Sequence, residues 1–141
     1  MASLIYNSFK KKIMDGSIDL DTDTIKLALV SSAYTPDQDA HDFWDDVSAN
    51  EVAASGTYSA GGVTLTTSVT QDNTDNEGVF DATDVSFTSA TITARYGVVY
   101  KSTGVAGTSP LICLIDFGGD QTSTAGTFAI TFAAEGILNL N

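Results

Sequence analysis

The stretch of sequence that decides the fold is residues 91–100, which read TITARYGVVY. Apolar side chains occupy every second position of this stretch, at Ile92, Ala94, Tyr96, Val98 and Tyr100. A period of two is the spacing at which side chains reach the same face of a β-strand. The pattern therefore predicts a strand with one continuous buried face.

Shorter alternating or apolar runs surround this stretch, and polar turn residues separate them. These runs are 25–30, 63–70, 79–80, 85–87, 111–115, 128–132 and 137–140. Residues 111–115 are apolar throughout, which is typical of a central strand covered on both faces, and residues 118–120 (GGD) are predicted to end it. Frequent short strands without a long helix predict a mainly β fold, either an antiparallel β-sandwich or a jelly-roll-like barrel.

The N-terminal part is predicted to be different from the rest of a single β-rich domain, 1–141. Residues 1–16 are expected to form a short helix or a helix with an arm, with the helical pattern in 4–15. Asn7 or Ser8 is suited to cap this helix and Gly16 to end it. A short helical turn is predicted over 41–47, followed by a loop over 48–62.

The charge of the chain limits its partners. The net charge is −12 and the sequence pI is about 4.1, so the surface is expected to repel nucleic acid and anionic membranes. No run approaches the roughly 18 apolar residues that a membrane helix needs. The start of the chain does not resemble a secretory signal. Because Cys113 is the single cysteine, no internal disulfide can form, and folding in a cytoplasm is expected.

Candidate catalytic and metal-binding residues are few. His41 is the one histidine, beside Asp42 and near Asp39, but no nucleophile motif accompanies it. Cys113 lies among apolar neighbours that favour a buried, inert thiol. We therefore expect no enzyme activity and no cofactor. Acidic loops such as 72–77 could attract Ca²⁺, but the spacing departs from that of a calcium-binding loop, and no metal site is assigned.

Several aromatic residues lie in or near the predicted loops: Tyr34, Phe43, Trp44 and Tyr58. Exposed rings of this kind can stack on a sugar or fill a pocket of a protein partner. The alternative is that the loops pack onto the sandwich and bury these rings. The sequence leaves both interpretations open.

Several segments resemble those of a family of small structural proteins of tailed bacteriophages, and the resemblance covers nearly the whole chain. The segments are LIYNSF at 4–9, DGSIDLDTDTIK at 15–26, YTPDQDAH at 34–41, YSAGG at 58–62, TARYGVVYK at 93–101, PLI at 110–112 and DFGG at 116–119. Proteins of this kind are variously capsid decoration, cement or tail proteins.

The resemblance implies a capsid decoration protein, made in the host cytoplasm, that binds the major capsid protein on the outer surface of the virion. It also implies self-association, most often as a trimer. A tail or baseplate component is the first alternative and a carbohydrate-binding module the second. Six residues are predicted to contribute to an interface, although packing on their own domain is the competing explanation: Leu4, Ile5, Tyr6, Phe9, Phe43 and Trp44.

Overall fold

The structure, a computed structural model, describes residues 3–141, and Met1 and Ala2 of the predicted arm lie outside the described residues. It is mainly β, with two antiparallel sheets and one short α-helix, which confirms the predicted class. The helix, α1, is Asn7–Met14. The strands are β1 Leu4–Ile5, β2 Ile25–Val30, β3 Val63–Thr64, β4 Thr67–Asp72, β5 Glu77–Ala82, β6 Val85–Lys101, β7 Leu111–Ile130 and β8 Leu138–Leu140.

The strands form a five-stranded and a three-stranded sheet. The strand order is β1-β7-β6-β2-β3 in the first and β4-β5-β8 in the second. Within the described chain the larger sheet ends at β1 on one side and at β3 on the other, and it does not close on itself. This arrangement fits the predicted sandwich, and the described strands do not form a closed barrel.

Two apolar cores lie on opposite faces of the larger sheet. On β2, Leu27 and Leu29 belong to the first core and Ala28 and Val30 to the second. The first core is shared with α1 and with the smaller sheet, while the second lies under the segment 31–50. Both cores bury side chains from 111–114, so the prediction of a central strand covered on both faces is confirmed.

The stretch 91–100 is a strand, as predicted, and its five alternating apolar side chains are buried. They do not share one face, however. Ile92 and Ala94 lie in the first core, whereas Tyr96 and the alternating residues after it lie in the second. The pairing of β6 with β7 shifts register between Ala94 and Tyr96. A bulge of this kind turns a strand and redirects its side chains, so the prediction of a single face was wrong.

The prediction that residues 118–120 end a strand was also wrong, because β7 runs through them. The pairing moves from Tyr96–Asp116 to Ala94–Gln121, so β7 carries extra residues at this point. Gly118 has a φ of +84°, a conformation that glycine adopts without steric cost. The glycines therefore form a bulge within a long strand instead of ending it.

The N-terminal helix is shorter than the predicted range. Leu4 and Ile5 pair with Leu114 and Cys113 as strand β1, and Tyr6 is the N-cap residue instead of Asn7 or Ser8. The helix is followed by Gly16 with φ +77°, as its sequence predicts. The helical turn predicted over 41–47 is a 3₁₀ turn at Trp44–Asp46. Within residues 3–141, no helix has the length and apolar character needed to cross a membrane.

Candidate protein-binding groove

The structure separates the six predicted interface residues into two groups. Tyr6, Phe9 and Trp44 are buried in their own domain, with 0%, 6% and 6% of their surfaces exposed. Leu4, Ile5 and Phe43 are partly exposed. Burial gives the first three residues a role in stabilising the fold, whereas the second three leave part of their side chains accessible to a partner.

The segment 34–43 holds the N-terminal segment in place. The Tyr6 and Tyr34 hydroxyls are 3.1 Å apart, and the Tyr34 hydroxyl is 2.7 Å from Nδ1 of His41. Burial raises the pKa of both tyrosines, which keeps the hydroxyls neutral. The Gln38 amide donates to the carbonyl of Ile5 at 2.6 Å. This bond occupies a polar group of β1, whose strand partner is β7.

The ring of Trp44 is buried against Tyr100. The ring centroids are 4.6 Å apart and the ring planes differ by 5°, while burial raises the pKa of Tyr100 to about 12. The Asp46 carboxylate accepts hydrogen bonds from the backbone N–H groups of Asp42 and Phe43, which fixes the turn that carries Trp44. The residue is therefore a core anchor of the segment 31–50.

Two of the other aromatic residues also have partners within the domain. The Tyr58 hydroxyl donates to Glu51 Oε1 at 2.7 Å and accepts from the N–H of Leu29 at 2.9 Å. Lys12 Nζ lies 4.7 Å from the ring centroid of Phe43. Of the four aromatic residues considered for sugar stacking, Phe43 alone is not buried, so the loops do not offer the exposed ring faces that stacking requires.

The residues weighed for chemistry have structural partners. The side-chain bond of His41 is to Tyr34, and burial raises the pKa of the Cys113 thiol to about 12. Asp72 accepts bonds from the N–H groups of Thr74 and Asp75 at 2.7 and 3.2 Å, which is a turn-forming role. Among residues 3–141, no group of three or more His, Cys, Asp or Glu side chains is placed to hold a metal ion.

Leu4 and Ile5 line a groove of about 500 Å³ between the two sheets. One wall comes from β1 and β7 of the larger sheet, and the other from β8 and the segment 131–137. The lining residues are Ser3, Leu4, Ile5, Cys113, Leu114, Ile115, Phe117, Ile130, Thr131, Phe132, Ala133, Gly136, Ile137, Leu138 and Asn139. A cavity of this volume is within the range that binds ligands, roughly 300–1,000 Å³.

None of the lining residues is charged, although the chain has 18 acidic and 6 basic residues. Carboxylates stand close to the groove instead. Asp84 Oδ1 accepts a bond from the N–H of Phe132 at 2.9 Å, and Glu77 Oε1 accepts one from the side chain of Asn139 at 2.6 Å. Glu135 is exposed in the loop between lining residues. The ion pairs of the described chain do not include these three carboxylates. The groove is therefore apolar with an acidic rim.

The β8 edge of the smaller sheet borders this groove. β8 pairs with β5 on one side, and no strand of the described residues pairs with its other side. Leu140 at its end is 76% exposed. An unpaired strand edge presents N–H and C=O groups that can bond to an added strand.

No protein-family model, no curated protein and no solved structure matches this chain. Function is therefore inferred from the groove together with the resemblance described above. Of the residues that line the groove, Leu4 and Ile5 were predicted as interface residues, whereas Phe117, Phe132 and Ile137 were not. Their only signal was apolar character near strand ends, which does not distinguish a groove from a core.

Proposed function

We propose that this protein is a bacteriophage capsid decoration protein that binds the outer surface of the assembled capsid and stabilises it. The observation that carries the proposal is the uncharged, apolar groove in an otherwise acidic chain. Contiguous apolar surface of this kind marks interaction sites in soluble proteins. The partner is the major capsid protein, as the sequence resemblance implies, and the acidic surface disfavours packaged nucleic acid as the partner.

The stabilising effect follows from mass action. A protein that binds the assembled shell but not the separate subunits stabilises the shell by RT ln(1 + [L]/Kd) per site. At a free concentration of one hundred times Kd, this amounts to about 2.7 kcal/mol for each site. Many identical sites then add up over the shell, so that a modest interface is sufficient.

The test uses purified protein and capsids assembled without it. Co-sedimentation measures the copies bound per capsid, and thermal disassembly measures the gain in shell stability. We expect many copies per shell and a higher disassembly temperature. No binding to the shell overturns the proposal. Binding of only a few copies per capsid supports the tail or baseplate alternative instead.

Self-association as a trimer belongs to the same proposal. Its support is the sequence resemblance. Sedimentation velocity, on the protein alone and on protein released from capsids, measures the state directly. A monomer in both preparations contradicts this part of the proposal and leaves capsid binding to be judged separately.

A further inference from the structure

We infer that the groove takes an extended segment of a partner protein, with alternating apolar side chains and Lys or Arg at its ends, which adds to β8 as a fourth strand of the smaller sheet. The inference deepens the proposed function, because it states which feature of the capsid protein is recognised. It can also be tested without a capsid.

The strand arrangement supports an added strand. The smaller sheet has three strands and faces a sheet of five, and the groove lies beside β8, the last strand on that side. A strand added to β8 would place every second side chain over Ile5, Ile115 and Phe117 and turn the others to solvent. At β1, by contrast, Gln38 already bonds the carbonyl of Ile5, so the β8 edge is the more accessible one.

The acidic groups near the groove favour basic residues at the ends of the bound segment. Glu77, Asp84 and Glu135 stand at the rim without ion-pair partners in the described chain. A segment with acidic ends would be repelled by them and by the net charge of −12. A segment with basic ends gains attraction, and complementary charge of this kind mainly sets specificity and association rate. The same repulsion disfavours a second copy of this acidic chain as the occupant of the groove.

Two synthetic peptides test the inference on the full-length protein: acetyl-Lys-Thr-Val-Thr-Val-Thr-Val-Lys-amide and its counterpart with Glu in place of Lys. Backbone amide NMR shifts measure both binding and its location. We expect the Lys peptide to shift the amides of β8 and of 131–137 and to bind at least about three- to tenfold more tightly than the Glu peptide at low salt. The difference should shrink at high salt, because the rim is exposed.

Variants at exposed positions test the location without disturbing the core. Thr131 lines the groove and Thr70 lies on β4 away from it, and both are exposed. Thr131→Lys should weaken binding of the Lys peptide, Thr131→Glu should weaken it less, and Thr70→Lys should leave it near the wild-type value. Glu135→Gln should reduce the preference for the Lys peptide.

Several outcomes would overturn the inference: no shifts at β8, equal affinity for both peptides, or equal effects of Thr131→Lys and Thr70→Lys. Concentration-dependent dimers that Thr131→Lys dissolves would show that a second copy is the occupant and would also overturn it. The capsid assay is independent. Capsid binding that is insensitive to Thr131→Lys overturns the groove inference alone, whereas peptide binding without capsid binding overturns the proposed function alone.

Discussion

The hydroxyls of Tyr6 and Tyr34 lie 3.1 Å apart in the second core, although the two residues are 28 positions apart in the chain. This bond joins the N-terminal segment to the segment that covers the larger sheet. Because Tyr6 is fully buried and Leu4 and Ile5 pair with β7, residues 4–6 belong to the folded domain and are not a free arm. Deletion of residues 1–9 would therefore remove core, and a loss of capsid occupancy after that deletion would not identify an interface.

Substitution of Tyr6 is expected to destabilise the domain in two steps. Tyr6→Phe removes the hydroxyl but leaves Tyr34 bonded to His41, so the cost should be about 0.5–1.5 kcal/mol. Tyr6→Ala also empties core volume and should cost about 3–5 kcal/mol. Urea unfolding measures both values. Met14→Ala, at a position 82% exposed, is the control and should change stability by less than about 0.5 kcal/mol. A Tyr6→Ala variant as stable as this control would refute the structural role.

Trp44 is expected to be the main anchor of the segment 31–50. Trp44→Ala removes the ring stacked on Tyr100 and should lower the free energy of unfolding by about 3–5 kcal/mol. Trp44→Phe keeps an aromatic ring and should cost less. Since Trp44 is the single tryptophan, its fluorescence in the wild type reports the unfolding of this segment directly. A fluorescence transition well before the circular dichroism transition would show that the segment unfolds separately and would contradict a shared core.

The strands were predictable from sequence because alternation is a local signal. Residues 91–100 show it, but the register shift after Ala94 depends on extra residues in β7, which lie far along the chain. The groove could not be predicted, because it exists only once β1 has paired with β7 and β8 has become a sheet edge. Ile5 and Tyr6 are adjacent and similar in apolar character, but Ile5 lines the groove and Tyr6 is buried. Only the strand pairing determines which of the two lines the groove.

Gly62 should tolerate no side chain. Its φ is +83°, and a Cβ there would lie 2.0 Å from the carbonyl oxygen of Leu27. Gly62→Ala therefore combines backbone strain with a clash, and β2 would have to move to relieve that clash. We expect the free energy of unfolding to fall by more than about 3 kcal/mol. Gly16 has a similar φ of +77° but open space around it, so Gly16→Ala should cost only about 1–2 kcal/mol. Equal losses in the two variants would contradict this explanation. Thermal unfolding of the pair measures the difference.

Acid should weaken the domain partly through Asp37. Hydrogen bonds from the N–H groups of Ala40 and Asp39 hold the pKa of Asp37 below its usual value. The folded state thus favours the ionised form of Asp37. The stabilisation that this gives is fully present above the unfolded pKa of roughly 3.9, and it is lost as the pH falls through the lower pKa of the folded state. Asp37→Asn should lose less stability than wild type between neutral pH and about pH 3.

A change in charge alone could also flatten the pH dependence of a chain this acidic. Asp75→Asn removes one carboxylate, too, and the Asp75 side chain accepts no hydrogen bond from the described residues, so it is the matched control for Asp37→Asn. Urea midpoints over the acid range compare the two variants. The same reduction of acid sensitivity in both variants would show that general repulsion, and not the bonds to Asp37, is responsible.

Cys113 should react with thiol reagents only when the domain opens. It is 3% exposed, and burial raises its pKa to about 12, so at about pH 8 the folded protein holds the unreactive thiol form. Modification by a disulfide reagent should then follow the opening equilibrium, and it should be faster in Tyr6→Ala, where opening costs less, than in the Met14→Ala control. Since the chain has one cysteine, each modified molecule reports the same site. Rapid modification of the folded wild type would mean that reagents reach Cys113 through the groove, which it lines, without unfolding of the domain. Burial would then not explain a slow reaction of the Cys113 thiol.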